Sequence, residues 1–365
     1  MVAVKVFAMQ DRNSWQTEKD VFSLPQMKHN NILTFLGAER RGEGIETQYW
    51  LVTEYHPNGS LWDYLKSHTV NLNQLLTIVQ GIGAGLTHLH EELSPTSTER
   101  GKPSIAHRDF KSKNVLLGSK FRPCIADFGL AIVFNPNAIL GDAHGQVGTR
   151  RYMAPEVLEG AINFNRESFL RIDMYACGLV LWELLSRTSF GEITCGEYRL
   201  PFEEEVGPHP SLEDMQVVVS QEKKRPILLD TWFKHPTMAV VANTVQDCWD
   251  QDTEARISAS TICERINALI LAKETEESCL SLNNQNGTAA YRASVPFTGN
   301  GGVATSGALP ANGIVSSGMG SVGGAVLGSA KNAFLMTAHP TAAVNGMNST
   351  VTANGSVYAV RETST

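Results

Sequence analysis

Four short blocks, each with at least one charged residue, occur in a fixed order along this chain of 365 residues. They are Val2–Lys5, His107–Asn114, Asp127–Gly129 and Ala154–Glu156. The first block lies in a branched, apolar run that is typical of a β-strand, and the third directly follows a short apolar run. The probability that all four blocks occur together by chance is very small. The fold must therefore bring positions far apart in the chain to one place.

The surroundings of Asp109 show why spacing matters. An isolated Asp is usually a cap or a turn residue. Here His107 and Arg108 precede it, and Lys111 and Asn114 follow at +2 and +5. With the lysine strand before it and the Asp-Phe-Gly and Ala-Pro-Glu blocks after it, this arrangement resembles the signature of eukaryotic protein kinases.

The kinase resemblance implies a role for each polar residue. Phosphoryl transfer needs charge neutralisation, fixed metal ions and a placed acceptor hydroxyl more than covalent help from the protein. Asp109 would accept or orient the proton of the acceptor hydroxyl, and Lys111 would steady the transferring phosphate. Asn114 and Asp127 would hold the metal ions through oxygen atoms, and Lys5 would contact the α- and β-phosphates of ATP.

A helix predicted over Ser14–Leu24 offers a partner for Lys5. Trp15, Glu18 and Phe22 fall at i, i+3 and i+7, so Glu18 shares a face with two aromatic side chains. A buried acid costs several kcal/mol unless it is paired, and the kinase pattern supplies Lys5 as its partner. The alternative is that this face is only partly buried and Glu18 meets water.

The catalytic block also indicates the acceptor class. Lys111, two residues after Asp109, has the spacing found in serine/threonine kinases, and Gly148–Met153 before the Ala-Pro-Glu block favours the same class. By the kinase pattern, Thr149 would frame the acceptor side. Asp173 would cap backbone groups of the catalytic loop.

Other polar features are expected to be structural. The kinase pattern pairs Arg256 with Glu156, which would fix the end of the activation segment. The glycine-rich run Gly81–Gly85 lies inside a helix predicted over Leu75–Leu89 and follows no strand, so it indicates close helix packing and not a phosphate loop. His88 and His90 precede no metal-binding motif and are expected to be structural histidines with satisfied hydrogen bonds.

Longer stretches resemble one family in particular, the activin type II receptors. These stretches are Ser112–Leu117, His144–Phe164, Leu200–Glu205 and His209–Met215, and the resemblance covers about residues 2 to 272. It implies a single-pass receptor serine/threonine kinase of the TGF-β superfamily in the cell membrane, with its kinase on the cytoplasmic side. Such a kinase uses ATP with Mg²⁺ or Mn²⁺ and phosphorylates a type I receptor in a shared complex. Its ectodomain binds activin- or BMP-like ligands.

The same resemblance implies where the nucleotide base lies. Thr53 would occupy the gatekeeper position, and Glu54, Tyr55 and His56 would form the segment that contacts adenine. Ala3, on the lysine strand, would also contact the nucleotide. These residues follow the strand predicted over Trp50–Tyr55, which has branched and aromatic content.

Composition divides the chain into three regions. Residues 1–56 are expected to form an incomplete β-rich N-terminal lobe, and residues 57–274 a helical C-terminal lobe that holds the catalytic loop and activation segment. The expected fold is α+β and bilobal, as in eukaryotic protein kinases. Residues 275–365 are rich in Gly, Ala, Ser, Asn and Thr, so they are predicted to be a disordered tail.

Bulk charge and apolar patterning exclude several classes of protein. The formal net charge of -7 gives no electrostatic footprint for nucleic acid. The six cysteines form no C-x-x-C pair, which argues against a structural zinc site and indicates a reducing compartment. No run reaches the ~18 apolar residues of a membrane span, and the N-terminus lacks a signal-peptide pattern. The chain as written is therefore expected to be cytosolic.

The lysine strand opens the chain, whereas the kinase pattern places two strands and a glycine-rich loop before it. We therefore expect a fragment or a truncated product with a bare sheet edge. One alternative is a kinase-fold binding module that acts as a decoy for type I receptors. Another is a cytosolic kinase of the tyrosine-kinase-like group, which explains the missing span but not the stretches typical of type II receptors.

The chain as given is predicted to bind ATP weakly and to turn over little, because the backbone donors that cover the β-phosphate belong to the glycine-rich loop. Calorimetric titration of the purified chain with ATP measures this affinity. An affinity equal to that of an intact kinase domain would contradict the prediction.

Overall fold

The computed structural model describes residues 1–134, 146–191, 195–292, 349–351 and 357–360. The chain divides into two compact units. The first unit is Met1–Glu276 together with Gly346–Thr365, and it contains every candidate site residue. The second is Glu277–Asn345, whose described residues, 277–292, are helical.

An antiparallel sheet forms the N-terminal part of the first unit. Its strands are β1 (Val2–Ala8), β2 (Phe35–Arg41), β3 (Gln48–Glu54), β8 (Ser349–Val351) and β9 (Val357–Val360), in the order β2-β3-β1-β9-β8. The sequence predicted β1 and β3 to within a few residues but not β2, whose Gly37 and three charged terminal residues, Glu39, Arg40 and Arg41, obscure the strand pattern. The register places Ala3 opposite Thr53.

The outer edge of β1 is paired in the structure. β9 runs antiparallel to it, with Lys5 opposite Val357 and Val2 opposite Val360. The bare edge that the sequence predicted is thus occupied by a strand from the C-terminal region. The rest of the predicted tail, apart from residues 275–292 and 349–351, lies outside the described residues.

Helix α1 (Arg12–Phe22) packs its aromatic face on this sheet. Trp15 donates its indole N–H to the carbonyl oxygen of Trp50 at 3.0 Å, and its ring lies 4.8 Å from that of Tyr49. Phe22 stacks on Phe35 at 5.3 Å. These contacts fix the side of α1 that carries Glu18, as the i, i+3, i+7 spacing predicted.

The remainder of the first unit is mostly helical. Its two short sheets pair β4 (Ser104–Ala106) with β7 (Ile132–Phe134), and β5 (Val115–Leu117) with β6 (Pro123–Ile125). Its helices are α2 (Leu61–Ser67), α3 (Leu72–His90), α4 (Pro155–Leu158), α5 (Arg166–Ser186), α6 (Glu203–Val206), α7 (Leu212–Met215), α8 (Asp230–Phe233), α9 (Pro236–Cys248) and the part of α10 (Ala259–Arg292) that precedes Glu277. The predicted α+β architecture is confirmed. The predicted domain limits at residues 56 and 274 stay predictions.

Local sequence signals explain two of these helices. Ser60 accepts the backbone N–H of Asp63 at 3.1 Å and Asp63 accepts that of Ser60, so the capping box opens α2 with Asp in place of Glu. In α3, a Cβ on Gly81 would lie 2.5 Å from Pro123 Cγ, and one on Gly85 would lie 2.8 Å from the Asn31 carbonyl oxygen. The prediction that these glycines serve close packing is confirmed.

Helix α5 is buried along nearly its whole length and packs against α9. Its position places Asp173 beside the catalytic loop. Among the helices of the described residues, none is long and apolar enough to cross a membrane.

Candidate active site

The ammonium of Lys5 lies between two carboxylates. Its Nζ is 2.9 Å from Glu18 Oε2 and 2.8 Å from Asp127 Oδ1. The Glu18 side chain is only 2% exposed, which excludes the alternative that it simply meets water. The predicted pair between β1 and α1 is confirmed. The Asp127 side chain is 40% exposed, so it remains open to a ligand.

Lys5, Glu18 and Asp127 shift one another's pKa values. Burial alone would lower the pKa of Lys5, but the negative charges of Glu18 and Asp127 outweigh it and raise that pKa. Burial raises the pKa of the Glu18 carboxyl despite the nearby ammonium. Burial alone would likewise raise the pKa of Asp127, yet the charge and hydrogen bond of Lys5 lower it. Lys5 and Asp127 are therefore both ionised at neutral pH.

Asp109 is held by two residues of the predicted acceptor side. Its Oδ1 accepts the Thr149 backbone N–H at 2.8 Å and the Thr149 hydroxyl at 2.7 Å. Its Oδ2 accepts the Lys111 ammonium at 2.6 Å, and that ammonium also donates to Thr149 Oγ1 at 2.7 Å. The structure thus brings Asp109, Lys111 and Thr149 into one hydrogen-bonded triangle.

Asn114 joins the catalytic loop to the strand that precedes Asp127. Its side-chain Nδ2 donates to the Asp109 carbonyl oxygen at 2.9 Å, and its own carbonyl accepts the Ala126 N–H, also at 2.9 Å. This orientation leaves the amide oxygen Oδ1 as the atom able to ligate a cation.

The donor set fits a hard divalent cation. Asn114 and Asp127 offer an amide and a carboxylate oxygen, the ligands that Mg²⁺ and Mn²⁺ prefer. In the described part of the chain, no cluster of three or more His, Cys, Asp or Glu could hold a metal by itself. Two protein oxygens suit a cation that is otherwise ligated by phosphates and water.

A buried carboxylate in α5 shapes the catalytic loop. Asp173 accepts the backbone N–H groups of His107 at 2.7 Å and Arg108 at 2.8 Å, and its Oδ2 lies 3.0 Å from His90 Nε2. Arg108 and Asp127 both have a φ of 68°, in the left-handed region that non-glycine residues seldom adopt. The predicted cap by Asp173 is confirmed, and it stabilises a loop that local propensity disfavours.

A chain of aromatic contacts connects α1 to the catalytic loop. Phe22 meets Phe128 edge to face at 5.1 Å, and Phe128 lies 5.4 Å from the ring of His107. His107 Nε2 lies 3.0 Å from the Ala126 carbonyl oxygen. The position of α1 is therefore tied both to Lys5, through Glu18, and to the catalytic loop, through Phe22.

The residues expected to bind the nucleotide base lie together where β3 ends. Thr53 is buried opposite Ala3. Glu54 accepts the Thr34 hydroxyl at 2.9 Å, and His56 is buried, which lowers its pKa. Tyr55 is half-buried between them. Their contacts with adenine stay a prediction.

The activation segment ends in a buried ion pair. Arg256 is fully buried and donates from Nη1 and Nη2 to the two carboxylate oxygens of Glu156, at 2.7 Å and 2.8 Å. The predicted pairing is confirmed, with the bidentate geometry that makes such a pair strong. His144 and Gly145, at the start of the segment, lie outside the described residues.

A family model described as a protein kinase domain matches residues 1–266. The chain belongs to the protein kinase family. It is 59% identical over 265 residues to activin receptor type-2A of Xenopus laevis and 57% identical over 268 residues to that of Homo sapiens. It is 56% identical over 268 residues to activin receptor type-2B of Xenopus laevis.

The predicted resemblance and enzyme class are confirmed by these similarities. Each alignment covers 73% of this kinase and 51% or 52% of the relative. The chain thus spans about half the length of the curated relatives it matches. A protein kinase domain uses ATP and a divalent cation, and the residues described above fit both.

Sequence reasoning missed a second buried polar network in this kinase. Glu183 of α5 is fully buried and accepts the hydroxyls of Tyr152 at 2.6 Å, Ser112 at 2.7 Å and Tyr198. Burial raises the pKa of its carboxyl to about 7 despite these hydrogen bonds. The available signal was a lone Glu in an otherwise apolar helix, which requires partners. The network joins α5 to the catalytic loop and the activation segment.

One structural histidine is not satisfied as predicted. His90 has Asp173 as its partner, but the buried Nε2 of His88 has no hydrogen-bond partner among the described residues. Its ring stacks on that of His29 at 4.6 Å. Burial lowers the pKa of His88 to about 4, so the ring stays neutral.

Glu183→Gln should remove a pH-dependent part of the stability. The carboxyl titrates near 4.5 when exposed and near 7 in the folded chain, so the folded state binds more protons between these values. The free energy of unfolding, relative to the Gln variant, should fall by about 1–3 kcal/mol as pH rises through this window and then level off. Urea unfolding at several pH values measures it.

Tyr152→Phe is the matched control, because it removes a hydrogen bond but keeps the carboxyl group. This variant should keep the fall in stability with rising pH and extend it to higher pH, because the lost hydrogen bond favoured the ionised carboxyl. Parallel stability curves for wild type and Glu183→Gln across the window would contradict the assignment.

Proposed function

We propose that this chain is the catalytic domain of a receptor serine/threonine kinase of the activin type II class. It transfers the γ-phosphate of ATP to serine or threonine hydroxyls of a type I receptor. The observation that carries the proposal is the hydrogen bond from the Thr149 hydroxyl to Asp109 Oδ1 at 2.7 Å, with the Lys111 ammonium beside both. A carboxylate that already accepts an aliphatic hydroxyl can accept that of a substrate.

Each residue then has a defined task. Asp109 orients the acceptor hydroxyl and takes its proton as the oxygen attacks the γ-phosphorus, whose bond to the β–γ bridging oxygen breaks and releases ADP. Lys111 offsets the negative charge that develops on the transferring phosphate. Lys5, held by Glu18, positions the α- and β-phosphates. A divalent cation on Asn114 and Asp127, when bound, supplies charge neutralisation between the phosphates.

The receptor class rests on similarity to the activin type-2 receptors, which extends over most of the kinase domain. By this proposal the kinase works at the cytoplasmic side of the cell membrane, and activin- or BMP-like ligands act through an ectodomain. Type I receptors are then both substrates and partners in the complex.

Phosphorylation of a purified type I receptor cytoplasmic region by this chain, at millimolar ATP with Mg²⁺ or Mn²⁺, tests the proposal. Asp109→Asn should lower the rate by at least about a hundredfold, because it removes the base but keeps the shape. Thr149→Ser keeps the hydroxyl and should retain most of the rate. Phosphoamino-acid analysis should show phosphoserine and phosphothreonine.

Three results would contradict the proposal. They are an unchanged rate in Asp109→Asn, a product containing phosphotyrosine only, and no detectable phosphorylation by the wild type at saturating ATP. The last result would favour a kinase-fold module that binds type I receptors without turnover.

A further inference from the structure

A groove of about 580 Å³ opens beside the catalytic loop. Lys111 and Thr149, which hold Asp109, line it together with residues that include Trp62, Lys113, Arg150 and His209. An acceptor hydroxyl bound at Asp109 therefore carries its neighbouring residues into this groove.

Two of the four Lys and Arg residues that line the groove are already engaged. Lys111 bridges Asp109 and Thr149. Arg151 is buried and donates to the carbonyl oxygens of Pro201 at 2.6 Å and Gly207 at 2.5 Å, so it serves as a backbone anchor.

The other two cations are exposed to solvent. The Lys113 ammonium lies 4.2 Å from the centre of the Trp62 ring, and Lys66 approaches the same ring at 4.1 Å. Among the described residues, Arg150 donates from its Nη1 to the Pro210 carbonyl oxygen at 3.4 Å, which is a long contact. Neither Lys113 nor Arg150 forms an ion pair with a carboxylate in the described part of the chain.

The nearby acidic side chains do not cancel this charge. No Asp or Glu is among the described residues that line the groove. Glu203 accepts the backbone N–H of Leu200 at 2.7 Å and its charge acts on the buried Arg151, while Glu204 pairs with Arg199. The groove is therefore a local positive surface on a kinase whose formal net charge is -7.

We propose that this kinase selects acceptor sites flanked by acidic residues, whose carboxylates are bound by Lys113 and Arg150. The inference rests on the proposed function, because it assigns a specificity to the same site. An acidic peptide is the occupant that the geometry favours, since an acceptor side chain must reach Asp109 while its neighbours lie along the two free cations. Lys113 and Arg150 line the same groove as Lys111 and Thr149, which hold Asp109, so both lie near the transfer point.

Peptide binding tests the inference without turnover. Three fluorescent peptides share one central serine and differ only in flanking residues, which are Glu, Gln or Lys. Fluorescence anisotropy with the full chain should give an affinity for the Glu peptide about fivefold to tenfold above that for the Gln peptide, as two exposed ion pairs provide. The difference should shrink at high salt.

Charge reversal identifies the residues responsible. Lys113→Glu combined with Arg150→Glu should abolish the preference for the Glu peptide or transfer it to the Lys peptide. Lys234→Glu, an exposed position at the end of α8 outside the groove, makes the same kind of charge change and should leave the ranking unaltered. Equal binding of all three peptides, or a ranking unchanged by the double variant, would overturn the inference.

A phosphorylation arm separates this inference from the proposed function. If serine in all three peptides is phosphorylated at equal kcat/KM, the kinase proposal stands and the acidic preference fails. If the Glu peptide binds best but none is phosphorylated, the acidic preference stands and the catalytic proposal fails.

Discussion

The site depends on one ammonium group shared by two carboxylates. Lys5 comes from a strand of the N-terminal sheet, Glu18 from the helix that crosses it, and Asp127 from the segment after the catalytic loop. Because a buried Glu18 would cost several kcal/mol without its partner, helix α1 is held in the position that completes the ion pair. The same helix contacts Phe128 through Phe22. Charge and packing thus favour one arrangement of the nucleotide side of the cleft.

The acceptor side of the site is positioned by helix α5. Helix α5, which is buried along most of its length, supplies Asp173, which binds backbone groups of the catalytic loop, and Glu183, which accepts hydroxyls from that loop and from the activation segment. Asp109 is fixed between these supports by Lys111 and Thr149. In the same groove, Lys113 and Arg150 are the residues that we propose bind acidic residues beside the acceptor hydroxyl. The catalytic loop, in which Arg108 has a left-handed backbone conformation, is therefore stabilised by its hydrogen bonds to α5.

The sequence best predicted the ion-pair partner of a charged residue that lies on an apolar face. The spacing of Glu18 with two aromatic residues predicted a buried acid, and the structure pairs it with Lys5. It predicted less well what depends on distant partners. Glu183 interrupts the apolar pattern of α5 and so could be noticed in the sequence. Its three hydroxyl donors, however, come from separate segments that only tertiary packing brings together. Strand β2 lacks a clean alternation, and the pairing of β9 with β1 joins opposite ends of the chain, so local pattern could indicate neither.

Electron paramagnetic resonance of Mn²⁺ with a non-hydrolysable ATP analogue tests the convergence of these residues most directly. We expect the chain to bind Mn²⁺ appreciably only with the analogue present. Asp127→Asn and Asn114→Ala should each weaken this binding by about tenfold or more, as loss of a metal ligand or its support does. Mn²⁺ binding that is unchanged in both variants would show that Asn114 and Asp127 do not meet at a metal–nucleotide site, and the account would be wrong.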